Sequence, residues 1–181
     1  IVFIPYILMN IFVLDKNPKI AAVMHCDKHV PKMILETAQM LSTAHRVYET
    51  AQAEGLYKQA HLNHPCTKWI RESGANYRWA WHLYHELLVE FKKRRGKYHK
   101  SGELLHDLAH TPHGMPEIGL TPFAQAMPDE YKHEDAVEAY RAYYMGDKAA
   151  FAKWEWPTAQ TPRWWFEENS EKGLQSLETM V

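Results

Sequence analysis

Prolines and glycines divide this sequence into segments with helical periodicity, and this punctuation constrains the fold more than any other feature. Apolar residues recur at helical spacing after Pro18, which predicts a first helix over residues 18–48. His64-Pro65 is typical of a helix start and Gly96 of a helix end, which predicts a second helix over 65–95. The pattern as a whole predicts an all-α fold.

Weaker signals inside and after these segments refine the prediction. Pro31 could bend the first helix, and Gly74 weakens the middle of the second. Asp135 with Glu138 resembles a capping box, which predicts a last helix through Tyr144. Between the second and last helices, we expect a short helix over 101–110, a loop over 111–120 and a brief turn over 122–127.

The two ends of the chain differ from its middle. Residues 1–8 (IVFIPYIL) are apolar and are expected to be a non-native or upstream extension. Residues 9–15 (MNIFVLD) have the composition of one short strand or an extended arm, and a lone strand should pack against helices. We therefore expect a single helical domain over 9–166, followed by a polar tail over 167–181.

Composition limits the classes of function. The 181 residues carry a formal net charge of −1, so the protein as a whole does not attract a polyanion and any nucleic-acid contact needs a local patch. The two cysteines fit neither a disulfide framework nor a metal knuckle, which favours a reducing, intracellular setting. The apolar N-terminal segment is too short to span a bilayer, so no membrane association is expected. The sequence does not fix the oligomeric state.

Four ionisable residues form the main candidate site. His25, His29, Lys32 and Glu36 are spaced by four, three and four residues, which puts them on one narrow stripe of a helix. An amine beside a carboxylic acid is the minimal equipment for imine chemistry. A solvated helix face would contain the same residues, so the pattern alone leaves both interpretations open.

Cationic residues opposite the apolar face of the second predicted helix suggest nucleic-acid contact. Arg71, Arg78 and Lys97 belong to this positive stripe, which could follow a phosphate backbone. Asn76 lies inside the apolar face, so it either bonds to the backbone or faces a polar pocket. Near the C-terminus, Arg141 and Tyr143 belong to a segment that interleaves cations with aromatic rings, as in single-strand binding surfaces. Core packing explains the same aromatic spacing.

The chain resembles two groups of phage proteins. HCDKHV, HPCTKW, NYRW and TPFAQAMP resemble segments of a group of marine phage proteins without an assigned activity, and this likeness covers residues 9–165. More distantly, the order MNIFVLD, DKHVPKMILE, HPC followed by RRGKYHKS, and YRAYYMGDK resembles the pyrimidine-dimer DNA glycosylases of the endonuclease V type.

The glycosylase resemblance implies a helical enzyme that exposes a damaged base and attacks the sugar carbon with an amine. In that family the amine is N-terminal, and a glutamate of the first helix assists. The resemblance implies that Glu36 is the acid. No matching N-terminal residue is present, so Lys32 becomes the candidate amine, with His25 and His29 as pKa-setting or proton-transfer groups. We predict a DNA glycosylase and lyase without cofactor or metal, acting in the cytoplasm of the infected host cell.

Three other functions stay open at this stage. A base-modifying enzyme would keep a glycosylase-like pocket without breaking the sugar bond. A metal-dependent hydrolase could use His25 and His29, or His106 and His110, together with Glu36 or Glu103. A phage protein without enzymatic activity could bind DNA or a host partner through its tryptophans and tyrosines.

Overall fold

The computed structural model describes residues 9–167, which are helical without a β-strand, as the all-α prediction requires. The expected extension over residues 1–8, and the expected tail from residue 168 onward, lie outside the described residues. None of the helices within the described range is both long and apolar enough to cross a bilayer.

Six α-helices have both ends inside this range: α1 (Pro18–Met24), α2 (His29–Val47), α3 (Pro65–Glu72), α4 (Gly74–Arg95), α5 (Leu105–Leu108) and α6 (Ala136–Met145). Short 3-10 helices cover Ala51–Gly55, Lys100–Leu104 and Asp129–Tyr131. The long helices α2 and α4 pack against each other, and α1 and α3 also pack on α4. One continuous apolar cluster connects these helices with the N-terminal arm and the segment around Trp164.

The prediction of one continuous first helix is wrong, because residues 25–28 separate α1 from α2. Tertiary hydrogen bonds hold this link out of helical geometry. Asp27 accepts bonds from the backbone N–H groups of Glu155 (2.6 Å) and Trp156 (2.9 Å). The expected bend at Pro31 is absent, since this proline falls in the first turn of α2, where its missing N–H is tolerated.

The predicted second helix is also divided, at Ser73. This residue is extended (φ −153°, ψ 155°), and its hydroxyl caps α4 by accepting a bond from the Asn76 N–H (3.0 Å). Gly74 therefore begins a helix and does not weaken the middle of one. The predicted start is confirmed, because the His64 ring accepts a bond from the Cys66 N–H and Pro65 is the first helical residue.

Gly96 ends α4 in the left-handed conformation (φ 67°), as its position in the sequence predicts. A Cβ atom at Gly96 or at Gly55 would meet no atom within 4 Å, but only Gly96 has a positive φ. We therefore expect Gly96→Ala to lower the free energy of unfolding by about 1–2 kcal/mol, through backbone strain alone. Gly55→Ala is the matched control and should change it by less than about 0.5 kcal/mol. Urea denaturation of the two variants measures this difference, and equal stabilities would contradict the strain argument.

The predicted extended arm is confirmed, and it lies inside the core. Residues 9–14 are all buried without forming a strand. Asn10 donates its amide to the Ala126 carbonyl (2.8 Å) and accepts a bond from the Tyr140 hydroxyl (3.0 Å). Side chains also bond to the backbone of the arm, because Asn10 Oδ1 accepts from the Ile11 N–H (2.8 Å) and Arg141 donates to the Leu14 carbonyl (2.9 Å).

The remaining predictions hold in part. The expected helix over 101–110 is a 3-10 helix followed by the single turn of α5, and 111–120 is a loop. The prediction of a turn over 122–127 is wrong, because this segment forms neither a turn nor a helix. The Asp135 carboxylate caps α6 by accepting a bond from the Val137 N–H (2.9 Å). Glu138 does not complete the capping box and lies 3.9 Å from an Arg141 nitrogen.

A buried charge cluster joins α4 to the link between α1 and α2. We call Arg94, Asp27 and Glu90 the Arg94 cluster. The guanidinium is fully buried and contacts Glu90 Oε2 (3.0 Å) and Asp27 Oδ1 (3.2 Å). It also donates to the backbone carbonyls of Val23 (2.9 Å) and His25 (2.8 Å). The cluster therefore fixes the backbone immediately before α2.

Candidate functional site

A small hollow lies beside the first turns of α2. Its lining combines three lysines, one histidine and two aromatic rings: Phe12, Lys28, His29, Lys32, Lys148 and Phe151. The volume is about 70 Å³, which is enough for about two water molecules or a similarly small group. Three amines around one small hollow concentrate positive charge in a chain that is otherwise near neutral.

Glu36 does not line the hollow, but it contacts the lining residue Lys32, as the spacing of four residues predicts. Its Oε1 lies 3.7 Å from Lys32 Nζ, and its side chain is only 14% exposed. The second carboxyl oxygen, Oε2, is buried without a hydrogen-bond partner. Burial raises the pKa of Glu36 to about 7, although Lys32, the Asn10 backbone N–H and Lys148 favour the ionised form. Near neutral pH this carboxyl group can both give and accept a proton.

This shifted pKa predicts how stability depends on pH. Between about pH 4.5 and 7 the folded protein keeps a proton on Glu36 that the unfolded chain has lost, so this group's contribution to stability falls as the pH rises. Glu36→Gln removes the titration. Its free energy of unfolding, minus that of the wild type, should therefore increase by about 3 kcal/mol between pH 4 and pH 8.

The measurement is urea denaturation of both proteins at a series of pH values. Glu103→Gln is the control, because Glu103 is exposed. A difference between Glu36→Gln and the wild type that stays constant from pH 4 to pH 8 would contradict the raised pKa.

Lys148 is another of the three amines at the hollow, and it comes from the cationic and aromatic segment that includes Arg141 and Tyr143. The residue is 5% exposed, and its Nζ lies 4.6 Å from the Tyr143 ring centroid and 6.0 Å from that of Phe151. Burial lowers the pKa of Lys148, and the charge of Lys32 lowers it further. The only signal in the sequence is its position after the aromatic face of α6, and this does not reveal the fold that brings it to α2.

The two histidines of the predicted stripe have separate surroundings. His29 lines the hollow, where its ring stacks on Phe12 (4.5 Å between centroids) and its Nδ1 lies 2.7 Å from the Tyr144 hydroxyl. Burial, with the charge of His25 and the nearby lysines, lowers the pKa of His29 to about 2. The imidazole is therefore neutral at pH 7, and the positive charge at the site comes from lysines.

The prediction that His25 shares the helical stripe is wrong, because His25 precedes α2 and caps the end of α1. It is completely buried outside the lining of the hollow, and its Nδ1 lies 2.6 Å from the Ala21 carbonyl. Burial lowers the pKa of His25 to about 4. The structure thus brings His29, Lys32 and Glu36 together and leaves His25 in the core.

Asn76 faces no polar pocket. Its amide donates to the Trp69 carbonyl (2.8 Å) and to the Thr121 hydroxyl (2.7 Å), and its carbonyl accepts a bond from the Thr121 N–H (3.0 Å). Asn76 is therefore a satisfied core residue that attaches the loop at Thr121 to α4. This is the first of the two alternatives that the sequence left open.

The predicted phosphate contacts on α3 and α4 do not converge on the hollow. Arg71 donates to the Leu62 carbonyl (2.8 Å), and Arg78 lies 3.4 Å from Glu117. Arg78 is about 24 Å along α4 from Arg94, at 1.5 Å per residue, and Arg94 is the α4 residue that bonds to the link before α2. Lys97, by contrast, is exposed beyond the end of α4.

The predicted contacts on α6 have structural partners. Arg141 donates to the Leu14 carbonyl (2.9 Å) and lies 3.6 Å from Asp15, so it attaches the N-terminal arm to α6. Tyr143 is 3% exposed and stacks with Phe12 at 6.0 Å between centroids, so its ring is not available to a base.

The structure gives no support to the metal alternative. Within residues 9–167 no three His, Cys, Asp or Glu side chains are grouped as metal ligands would be. The rings of His106 and His110 contact each other (5.8 Å between centroids), but a third ligand is missing from this part of the chain. No family model matches the sequence, and neither a curated protein nor a solved structure is significantly similar to it.

Proposed function

We propose that this protein is a DNA-directed enzyme that forms an imine with a sugar carbon, as a DNA glycosylase and lyase does. The observation that carries the proposal is the position of Glu36 beside the lysines of the hollow. The acid has a pKa of about 7, and Lys148 is a buried amine whose pKa is lowered. DNA as the partner, and the cytoplasm of an infected host cell as the location, follow from the resemblance to the phage glycosylases.

Lys148 is the preferred nucleophile in this proposal. An amine attacks carbon only when it is unprotonated, and burial favours that form in Lys148. Lys32, the amine expected from the sequence, contacts Glu36 at 3.7 Å. It serves the same reaction by holding the Glu36 carboxyl group beside the lining of the hollow.

The reaction proceeds in two steps that use one acid-base group. The Lys148 nitrogen bonds to C1′ while the bond from C1′ to the base nitrogen breaks, and protonated Glu36 gives its proton to the departing base. Glu36 then takes a proton from the attached nitrogen. The sugar ring opens, C1′ and the nitrogen form a protonated imine, and O4′ receives the proton that Glu36 has just taken.

Borohydride trapping tests the proposal. The protein is incubated with a duplex oligonucleotide that contains one abasic site, because the exposed aldehyde lets an amine form the imine directly. Reduction of the C=N bond should yield a stable 1:1 adduct of protein and DNA. Lys148→Ala should abolish the adduct and Lys32→Ala should weaken it. Lys153→Ala is the control, since Lys153 is exposed and its contact is Glu155 at 3.9 Å.

Each outcome has a defined meaning. If the wild type forms no adduct, the proposed chemistry is wrong. An adduct lost only in Lys32→Ala would identify Lys32 as the nucleophile and contradict the assignment to Lys148. Peptide mapping of the reduced adduct identifies the modified lysine independently of any variant.

A further inference from the structure

A second concavity is separate from the hollow. We call it the α4 groove. It has a volume of about 760 Å³ and lies between the C-terminal half of α4 and residues 98–105. Its floor is apolar, with Leu88, Val89 and Leu105, and three lysines lie at its edges, Lys92, Lys93 and Lys100. The candidate site does not use these residues, and Lys93 Nζ lies 3.7 Å from Glu90 Oε1 of the Arg94 cluster.

Cationic residues outnumber acidic ones around the α4 groove, although Glu90 pairs with Lys93 and Glu86 with His85. Five cationic residues between positions 92 and 100 are exposed: Lys92, Lys93, Arg95, Lys97 and Lys100. Arg94 does not contribute, because the core encloses it. Glu103 is the acidic residue of the lining. This local excess of positive charge on a chain with a net charge of −1 is complementary to a polyanion.

Tyr98 gives the groove an aromatic surface that folding does not explain. It is 83% exposed, more than any other exposed large hydrophobic residue of the described range. Lys92 Nζ lies 4.1 Å from the ring centroid and also donates to the Gly96 carbonyl (3.1 Å), so the cation and the ring form one unit. An exposed ring held beside cations is the arrangement on which unpaired bases stack while lysines contact the phosphates.

We propose that the α4 groove binds a single-stranded segment of nucleic acid, with a base stacked on Tyr98 and phosphates at Lys92 and Lys100. The inference rests on the proposed function in one respect, which is the choice of nucleic acid as the polyanion that binds. An acidic amphipathic peptide would also form ion pairs with the lysines. It would not require the exposed ring beside Lys92, which is why we favour the nucleic-acid strand.

Fluorescence anisotropy with a labelled twelve-nucleotide oligothymidylate tests this inference. Tyr98→Ala should weaken binding by about tenfold, from the loss of one stacked base. Phe166→Ala is the matched control, since Phe166 is 63% exposed and lies outside the groove. It should bind as the wild type does.

The salt dependence provides a second readout. The double variant Lys92→Ala, Lys100→Ala removes two phosphate contacts, so the slope of log K against log salt should become shallower by about 1.4. The control Lys58→Ala, Lys68→Ala removes two exposed lysines outside the groove and should leave the slope unchanged.

Three results would overturn the inference: no binding of the oligonucleotide, equal affinity of Tyr98→Ala and the wild type, or binding of an acidic helical peptide in its place. The test is independent of the borohydride experiment. If oligothymidylate binds through Tyr98 and no adduct forms on abasic DNA, the groove assignment stands while the imine mechanism fails.

Discussion

Replacing Arg94 by methionine is expected to lower the free energy of unfolding by about 3–5 kcal/mol. The guanidinium is completely buried and binds two carboxylates and two backbone carbonyls. Methionine has a similar length but no charge or donor, so Asp27 and Glu90 would remain buried without their shared cation. A single carboxylate left in this way is costly, and here there are two.

Urea denaturation at neutral pH measures the loss, with Arg95→Ala as the control. Arg95 is the next residue along α4, but it is exposed and stacks on the Trp156 ring at 4.6 Å. Its replacement should lower the free energy of unfolding by about 1 kcal/mol or less. If Arg94→Met and Arg95→Ala were equally stable, the Arg94 cluster would not be an important source of stability. Arg94→Lys should recover only part of the loss, because a lysine cannot donate to four separate acceptors.

The second large effect is expected for Glu36→Gln in the proposed reaction. The rate of imine formation on abasic DNA should fall by about 10²- to 10⁴-fold, the range usual for loss of a general acid-base group. Glutamine keeps the shape of the side chain and gives up its proton transfer. For the wild type, the rate should rise with pH as Lys148 loses its proton, and this rise should end near pH 7, because the protonated fraction of Glu36 decreases there.

Single-turnover trapping between pH 5.5 and 8.5 measures both the rate and its pH profile. Glu54→Gln changes an exposed glutamate outside both the hollow and the α4 groove and should follow the wild type. Glu36→Gln should be slow and lose the change of slope near pH 7. A Glu36→Gln enzyme with the wild-type rate and profile would exclude Glu36 as the acid. The same variant is expected to be more stable than the wild type above pH 7, so a loss of rate there would not result from unfolding.

Signals that act within one turn predict the structure well. The cap at His64, the left-handed glycine at position 96 and the cap at Asp135 all lie where the sequence places them. The break between α1 and α2 was not predictable in this way. It depends on bonds from Arg94 and from the backbone at Glu155, and no local pattern in residues 25–28 contains that information.

At the candidate site, too, the sequence predicts contacts within one helical turn but not those made by the tertiary fold. Lys32 and Glu36 meet because they are one helical turn apart, and a spacing of four is sufficient to predict this. Lys148 reaches the hollow from the segment after α6, so only the tertiary fold reveals it. For Arg141, the sequence could not distinguish a phosphate from the Leu14 carbonyl as its partner, because either satisfies a guanidinium.

The buried arm also bears on how the protein is made. Asn10 binds Ala126 and Tyr140, and the Trp154 indole donates to the Met24 carbonyl (3.0 Å). These partners are separated by 116 to 130 residues. A nascent chain on the ribosome therefore cannot complete this core until the segment around Trp164 has been synthesised. Such long-range contacts slow folding, and until they form, the apolar residues of the arm are accessible to chaperones.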